Sequence, residues 1–136
     1  MIRQLDRSAA TIADILAAAR KLFASEGFDA TSIDAIAAKA GVAKGAVYHH
    51  FDSKEEIFTR VLEDVQAEIA ALPVSAATRA MTDPLDMIAA ETLRYLLAAT
   101  EPSRKRILLI DGPAVIGWKK WREIDDRSFG AGAKMA

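Results

Sequence analysis

Side chains suited to contacting nucleic acid are concentrated in one stretch of the chain, between residues 31 and 54. They comprise cations and hydroxyls that bind phosphates, rings whose polar atoms can reach base edges, and small residues that let a helix approach closely. The set consists of Thr31, Lys44, Gly45, Ala46, Tyr48, His49 and Lys54. The chemistry that these residue types predict is binding to double-stranded DNA.

The sequence around these residues predicts two short helices joined by a tight turn. Thr31 can cap the first helix, with Asp34 in the capping-box position. Gly41 ends that helix, because the residue after a helix usually has a positive φ. Apolar residues recur at helical spacing in between: Ile33, Ile36, Ala37 and Ala40. The second helix runs from about Lys44 to His50, and two such helices around a glycine turn make a helix-turn-helix, whose second helix enters the major groove.

If Val47 faces inward, Lys44, Tyr48 and His49 lie on the exposed side of the second helix. Lys54 lies in the first turn of the next helix, where a cation opposes the helix dipole, so a neighbouring phosphate would explain it. Each contact has a simpler alternative. A freely solvated lysine, a locally packed aromatic ring or a threonine that only caps would account for the same residue types.

The sequence gives little support for a metal site or a catalytic site. His49 and His50 lie near Asp52 and Glu55, but adjacent residues on a helix point about 100° apart, and zinc-binding spacing is absent. The chain has no cysteine, no glycine-rich phosphate loop, no G-x-S-x-G motif and no histidine elsewhere. We therefore expect neither an enzyme, a metal site nor a cofactor.

The composition predicts an all-α fold. The 136 residues are 51% hydrophobic, and no stretch alternates polar and apolar residues over the length of a strand. Net charge is only −1, so DNA binding must depend on where cations are placed. The absence of cysteine, of a membrane-length apolar run and of a signal core predicts a cytoplasmic protein with no membrane partner.

Seven helices are predicted, at about 8–26, 33–40, 44–50, 53–72, 83–99, 102–111 and 113–127. Ser53 and Glu56 form a capping box at the start of the long fourth helix, and Asp83 caps the fifth. Residues 73–82 are the best candidate for a boundary, and Asp111-Gly112-Pro113 is a stop-and-restart signal. The fifth helix is expected to bury one face, which consists of Leu85, Ile88, Thr92, Tyr95, Leu96 and Ala99.

Large apolar residues in the last helices are candidates for an apolar ligand pocket. They are Met87, Tyr95, Leu96, Trp118 and Trp121. Trp118 and Trp121 are three residues apart and so share one side of the seventh helix. Ordinary core packing is the alternative for each of them.

Three segments resemble the tetracycline-repressor (TetR) family of transcriptional regulators: LFASEGFDATSIDAIA, AGVAKGAVYHHF and SKEEIF. The segment LLIDGPAVIGWKKWREID also looks like part of the ligand domains of that family. The resemblance implies a homeodomain-like head at 1–54 that contacts DNA through the helix-turn-helix. It also implies, at 55–136, a connecting helix that moves on ligand binding and a partial ligand-binding domain. One departure is Ala43, where the family often has serine or threonine, which puts one backbone contact in doubt.

The resemblance implies a repressor that binds a palindromic operator as a homodimer and is released by a small apolar molecule. The alternatives are a DNA-binding architectural or adaptor protein without an inducer, and a small helical enzyme or ligand carrier. Members of the family are usually longer, and their last two helices pair between subunits. Because few residues follow Arg127, we expect that dimer surface to be missing, an exposed apolar patch to remain, and association to be weak.

Overall fold

A computed structural model describes residues 2–130 of the chain, and all regular structure in that range is helical. The helices are α1 (Ile2–Glu26), α2 (Ile33–Ala40), α3 (Lys44–His50), α4 (Lys54–Ala70), α5 (Ala76–Arg79), α6 (Pro84–Ala99), α7 (Pro102–Lys105), α8 (Gly112–Ile116) and α9 (Trp118–Asp125). Two π-helical segments, Arg106–Asp111 and Asp126–Gly130, join α7 to α8 and extend α9. The predicted all-α fold is confirmed. The tail of the predicted second domain, residues 131–136, lies outside the described range.

The first three helices form the head around a core of fully buried side chains. Ile15 and Phe23 of α1, Ile36 of α2 and Val47 of α3 each have 0% exposure. These residues follow the helical spacing of the sequence, so burying one face of each helix brings the three together. Transfer of each such side chain out of water stabilises the fold by roughly 1.5–3 kcal/mol.

The long helix α4 connects this head to the rest of the chain. Ser53 caps it, accepting a hydrogen bond from the Glu56 N–H at 3.1 Å. Glu56 in turn accepts from the Asp52 N–H at 2.7 Å, one residue earlier than the standard capping box. The predicted apolar face is confirmed by the buried residues of α4: Ile57, Phe58, Val61, Leu62, Val65 and Ile69. The predicted boundary between head and body at residue 54 stays a prediction.

Three phenylalanines pack where α1, the α1–α2 turn and α4 meet. The rings of Phe23 and Phe58 lie 5.2 Å apart edge to face, and Phe28 is 5.2 Å from Phe58 in the same geometry. Edge-to-face contacts of this kind contribute about 0.5–1.5 kcal/mol beyond the area they bury. The aromatic cluster therefore fixes the turn at Phe28 against both helices.

An ion-pair network joins α1, α4 and α7. Glu68 of α4 binds Arg20 at 2.6 Å through one carboxylate oxygen and Arg104 at 2.8 Å through the other. The hydrogen bond from Arg20 is the main reason that the pKa of Glu68 falls to about 2. The network holds both α1 and α7 to the C-terminal part of α4.

The helices after α4 are less fully packed than the sequence predicts. α6 begins with the predicted cap, in which Asp83 accepts a hydrogen bond from the Leu85 N–H at 2.9 Å. However, Leu85 is 75% exposed, Ile88 is 62% exposed and Leu96 is 49% exposed. Thr92 is exposed as well, so the prediction that these four residues belong to an inner face is wrong. The buried residues of α6 are Ala98 and Ala99, both at its end. Leu93 and Leu97 of α6 are exposed as well, by 57% and 65%, and the expectation that such residues form one apolar patch stays a prediction.

The predicted break at Asp111-Gly112-Pro113 is also wrong. The chain stays helical from Pro102 to Ile116, and the break falls at Gly117, whose φ is +85°. A proline inside a regular α-helix clashes with the carbonyl four residues earlier. Here the wider π-helical turn directly precedes Pro113, which is then tolerated in the first turn of α8. Ser75 also starts a short helix, α5, inside the segment predicted to be an irregular boundary.

None of the described helices combines the length and the apolar character that spanning a membrane would require.

Candidate nucleic-acid interface

The first helix of the motif, α2, is positioned by caps at both ends. Ser32 caps it, accepting a hydrogen bond from the Ala35 N–H at 3.0 Å. The prediction that Thr31 is the cap is therefore wrong. Thr31 is only 2% exposed, and its hydroxyl donates to the Gly27 carbonyl at 2.7 Å, so it secures the preceding turn instead. Two adjacent hydroxyl residues leave the position of the cap undecided in the sequence.

The end of α2 matches the prediction. Gly41 has a φ of +73°, and the Val42 N–H donates to the Ala37 carbonyl at 3.0 Å. This αL ending satisfies carbonyls at the helix terminus and turns the chain sharply into the next helix. The turn places α3 across α2, as a helix-turn-helix requires.

The orientation of α3 exposes the residues expected to contact DNA. Val47 is fully buried and anchors the helix, whereas Tyr48 is 49% exposed. Lys44, Gly45 and His49 are exposed as well, and Ala46 is half-buried. As its chemistry requires, Ala43 makes no side-chain cap to α3. The side chains of Lys44, Tyr48 and His49 are thus available on one short helix.

A cleft of about 480 Å³ lies where the starts of α2 and α4 meet α3. Ser32, Tyr48 and Lys54 are among the residues that line it. Asp29, Asp52 and Glu55 line it too, so the lining carries both signs of charge. Tyr48 and Lys54, which are separate in the sequence, are therefore brought to one site.

Lys54 is held within the head rather than freely solvated. Its Nζ donates to the Phe28 carbonyl at 2.9 Å and lies 4.0 Å from the centre of the Phe28 ring. These intramolecular contacts account for a cation at the start of α4, where the helix dipole is unfavourable to it, without requiring a phosphate. An ammonium group has three N–H bonds, so this hydrogen bond leaves others that can reach a ligand in the cleft.

Lys44 has a weaker local partner. Its Nζ lies 3.2 Å from an oxygen of Asp34, and the two side chains are 54% and 72% exposed. An exposed pair of this kind contributes at most about 1 kcal/mol, so a phosphate can displace it. His49 and His50 contact each other edge to face, with ring centres 4.9 Å apart.

Residues expected to line a ligand pocket are spread over the body of the chain. Met87, Leu96 and Trp118 are 43%, 49% and 59% exposed. Tyr95 and Trp121 are half-buried and pack against the core. Trp118 stacks on Trp121 with ring centres 5.2 Å apart, so the structure brings these two together.

A buried polar cluster between α4, α6 and α9 was not identified from the sequence. Gln66 is fully buried and its Nε2 donates to Asp125 at 3.0 Å. Burial raises the pKa of Asp125, and burial together with the charge of Asp125 raises the pKa of Tyr95. The sequence did contain one indication of this cluster, because Gln66 lies among apolar residues on the inner face of α4, and a buried polar side chain needs a hydrogen-bond partner.

A three-helix head with an exposed recognition helix, joined by α4 to a helical body, defines the class of helix-turn-helix DNA-binding proteins. Residues 15–61 match the family model "Bacterial regulatory proteins, tetR family", and residues 85–134 match "Tetracyclin repressor-like, C-terminal domain". A TetR-family regulator from Pectobacterium atrosepticum, whose crystal structure is known, is 31% identical, with a TM-score of 0.69; the match covers 96% of this chain and 70% of that one. The chain belongs to the TetR family.

Two further proteins are similar to the chain. The transcriptional regulator AcrR of Shigella flexneri is 34% identical over 97 residues, which cover 71% of this chain and 45% of AcrR. NalD, the secondary repressor of the MexAB-OprM multidrug efflux pump in Pseudomonas aeruginosa, is 33% identical with a TM-score of 0.55; the match covers 95% of this chain and 63% of NalD. Against the curated relatives AcrR, TetC and YfiR, the chain spans 45%, 60% and 54% of their length.

Proposed function

We propose that this chain contains the DNA-binding part of a transcriptional regulator and contacts an operator through α3 and the cleft beside it. The observation that carries the proposal is the placement of Tyr48 and Lys54 in one cleft next to the exposed side of α3. Lys44 and His49 lie on the same short helix, and Gly45 leaves room for a close approach. A few cations and one helix face are enough for such binding when net charge is low.

In this proposal α3 enters the major groove, and Lys44, Tyr48 and Lys54 contact phosphates. His49 and the small residues Gly45 and Ala46 face the base edges. Thr31 contributes least, because its hydroxyl is already bound inside the head. A palindromic operator requires two heads about 34 Å apart, so the functional unit is a homodimer.

The direction of regulation that we propose is repression relieved by a small, mostly apolar molecule. NalD, whose similarity covers 95% of this chain, is a repressor of an efflux pump. Half-buried Tyr95 and Trp121, with the polar pair Gln66 and Asp125 nearby, offer apolar surface and a few polar atoms in the body. Such a molecule acts only through its different affinity for the two conformations.

Fluorescence anisotropy with DNA from the promoter of the protein's own gene tests the proposal. Lys54→Ala should weaken binding to all sequences alike and lower the slope of log affinity against log salt by about 1, since one phosphate contact is lost. Tyr48→Ala should weaken binding without unfolding the head, because its ring is half exposed.

Lys119→Ala is the matched control, because Lys119 is an exposed cation on α9, outside the head. It should bind DNA like the parent. If Lys54→Ala and Tyr48→Ala also bind like the parent at moderate salt, the assignment of α3 as the recognition helix is wrong.

A further inference from the structure

The turn between α1 and α2 is held from the body of the chain. The Phe28 N–H donates to Asp111 at 3.0 Å, a contact between residues 83 positions apart. Arg106 donates to the Ser25 carbonyl at 3.1 Å. A methyl group on Gly27 would lie 2.5 Å from the Arg106 guanidinium, so this side chain lies directly against the turn.

Arg106 and Asp111 are the first and last residues of the π-helical segment. Residues five apart on a regular α-helix point about 140° away from each other. The wider π-helical turn reduces that divergence and brings both side chains to the same turn of the head, 4.0 Å from each other. The π-helical geometry of Arg106–Asp111 is thus what lets both side chains contact the α1–α2 turn.

The same turn holds Lys54 on its other side. The Phe28 carbonyl accepts from Lys54 at 2.9 Å, while the Phe28 N–H is bound to Asp111. The Phe28 ring is only 8% exposed and fixed among Phe23 and Phe58, so the residue cannot shift freely between its two partners. One ordered residue therefore links a carboxylate of the body to a cation of the cleft.

We infer that Asp111 is a positioning residue for DNA binding, which acts through Phe28 to hold Lys54 at the cleft. The inference rests on the proposed function and deepens it by naming a route from body to head. A body conformation that withdraws Asp111 releases the turn, and Lys54 loses its fixed position. Couplings of this kind typically change affinity by about twofold to thirtyfold.

The first test is a double-mutant cycle on DNA affinity. Asp111→Ala should weaken binding about threefold to tenfold, because Lys54 is no longer held in place. In a Lys54→Ala background the same change should have almost no further effect. Equal losses in both backgrounds would overturn the route through Lys54. Glu91→Ala is the matched control, since Glu91 is a half-buried body carboxylate paired with Arg94 of the same helix at 2.9 Å and should leave DNA affinity unchanged.

The second test needs no DNA. Acetylation of Lys54 by acetic anhydride, followed by mass spectrometry, reports how well its Nζ is held. Asp111→Ala should raise the rate at Lys54 at least about threefold relative to exposed Lys119. An unchanged ratio would overturn the inference. A parent protein that binds no DNA would refute the proposed function alone, because the acetylation ratio still decides the coupling.

If Asp111→Ala does not fold, Asp111→Leu replaces it in both tests. Leucine has about the shape of aspartate but no atom that can accept from the Phe28 N–H. The expected changes are the same as for Asp111→Ala. A folded Asp111→Leu protein with parental DNA affinity and a parental acetylation ratio would overturn the inference.

Discussion

Replacing Gly45 with alanine should change stability and DNA affinity in opposite directions. Gly45 is the second residue of α3, it is exposed, and its φ is not positive. A Cβ atom built there meets nothing within 4 Å. Because glycine inside a helix is less favourable than alanine by roughly 0.5–1 kcal/mol, Gly45→Ala should stabilise the head by about that amount.

On DNA the added methyl group should be unfavourable. It projects from the side of α3 that we propose to approach the duplex, between Tyr48 and His49 on the helix surface. Forcing an extra methyl group into a close-packed contact typically costs about 1–3 kcal/mol. Operator affinity should therefore fall roughly fivefold to 150-fold, since about 1.4 kcal/mol corresponds to a factor of ten.

Thermal unfolding followed by circular dichroism measures the gain in stability, which should raise the Tm of Gly45→Ala by about 2–5 °C. Fluorescence anisotropy with promoter DNA measures the loss of operator affinity. Gly41→Ala is the control, because space around it is equally open but its φ is +73°. That variant should lose about 1–2 kcal/mol of stability through backbone strain alone. A Gly45→Ala protein that is more stable yet binds DNA as tightly as the parent would refute the close approach of α3.

Three further predictions concern the body and the assembly. The pKa of Glu68 is lowered from 4.5 to about 2, so its ion pairs stabilise the fold above about pH 4.5 and are lost as pH falls towards 2. Glu68→Gln should lower the free energy of unfolding at pH 7 by about 1 kcal/mol, a value reduced by solvent screening because the pair is partly exposed. In urea titrations its stability should also depend less on pH in the acid range. A pH profile identical to that of the parent would count against the network. Trp118→Phe should weaken the binding of apolar compounds in titration calorimetry while DNA binding persists, and unaltered affinity in both Trp118→Phe and Trp121→Phe would favour plain packing. Sedimentation equilibrium at micromolar concentration should show a weak or heterogeneous dimer of this 136-residue chain, and a tight, monodisperse dimer would contradict that expectation.

Features decided by neighbouring residues were predictable from the sequence. Gly41 ends α2, Ser53 caps α4, Asp83 caps α6, and Val47 faces inward, all as expected. Each depends on a helix terminus or on helical spacing, which a short window of sequence contains. The misplacement of the α2 cap by one residue belongs to the same level, because Thr31 and Ser32 are chemically equivalent candidates.

Features decided by distant residues were not predictable. The contact between Asp111 and Phe28 joins parts of the chain 83 residues apart, and no local pattern encodes it. Asp111 instead suggested the end of a helix, because it precedes glycine and proline. Likewise, periodicity shows which side of α6 is apolar but not whether anything covers it, so it could not show that Leu85 and Ile88 are exposed.

The π-helical segment contains, in effect, one residue more than an α-helix needs to cover the same turn. Deleting one residue within it, such as Leu109, would leave Arg106 and Asp111 four positions apart on a regular α-helix, where two residues point only about 40° away from each other. Both side chains would then still face the α1–α2 turn. A regular helix of unchanged length would instead turn the two side chains about 140° apart. A single-codon deletion in this segment should therefore leave body and head connected, because the π-helical turn only absorbs the residue that is removed.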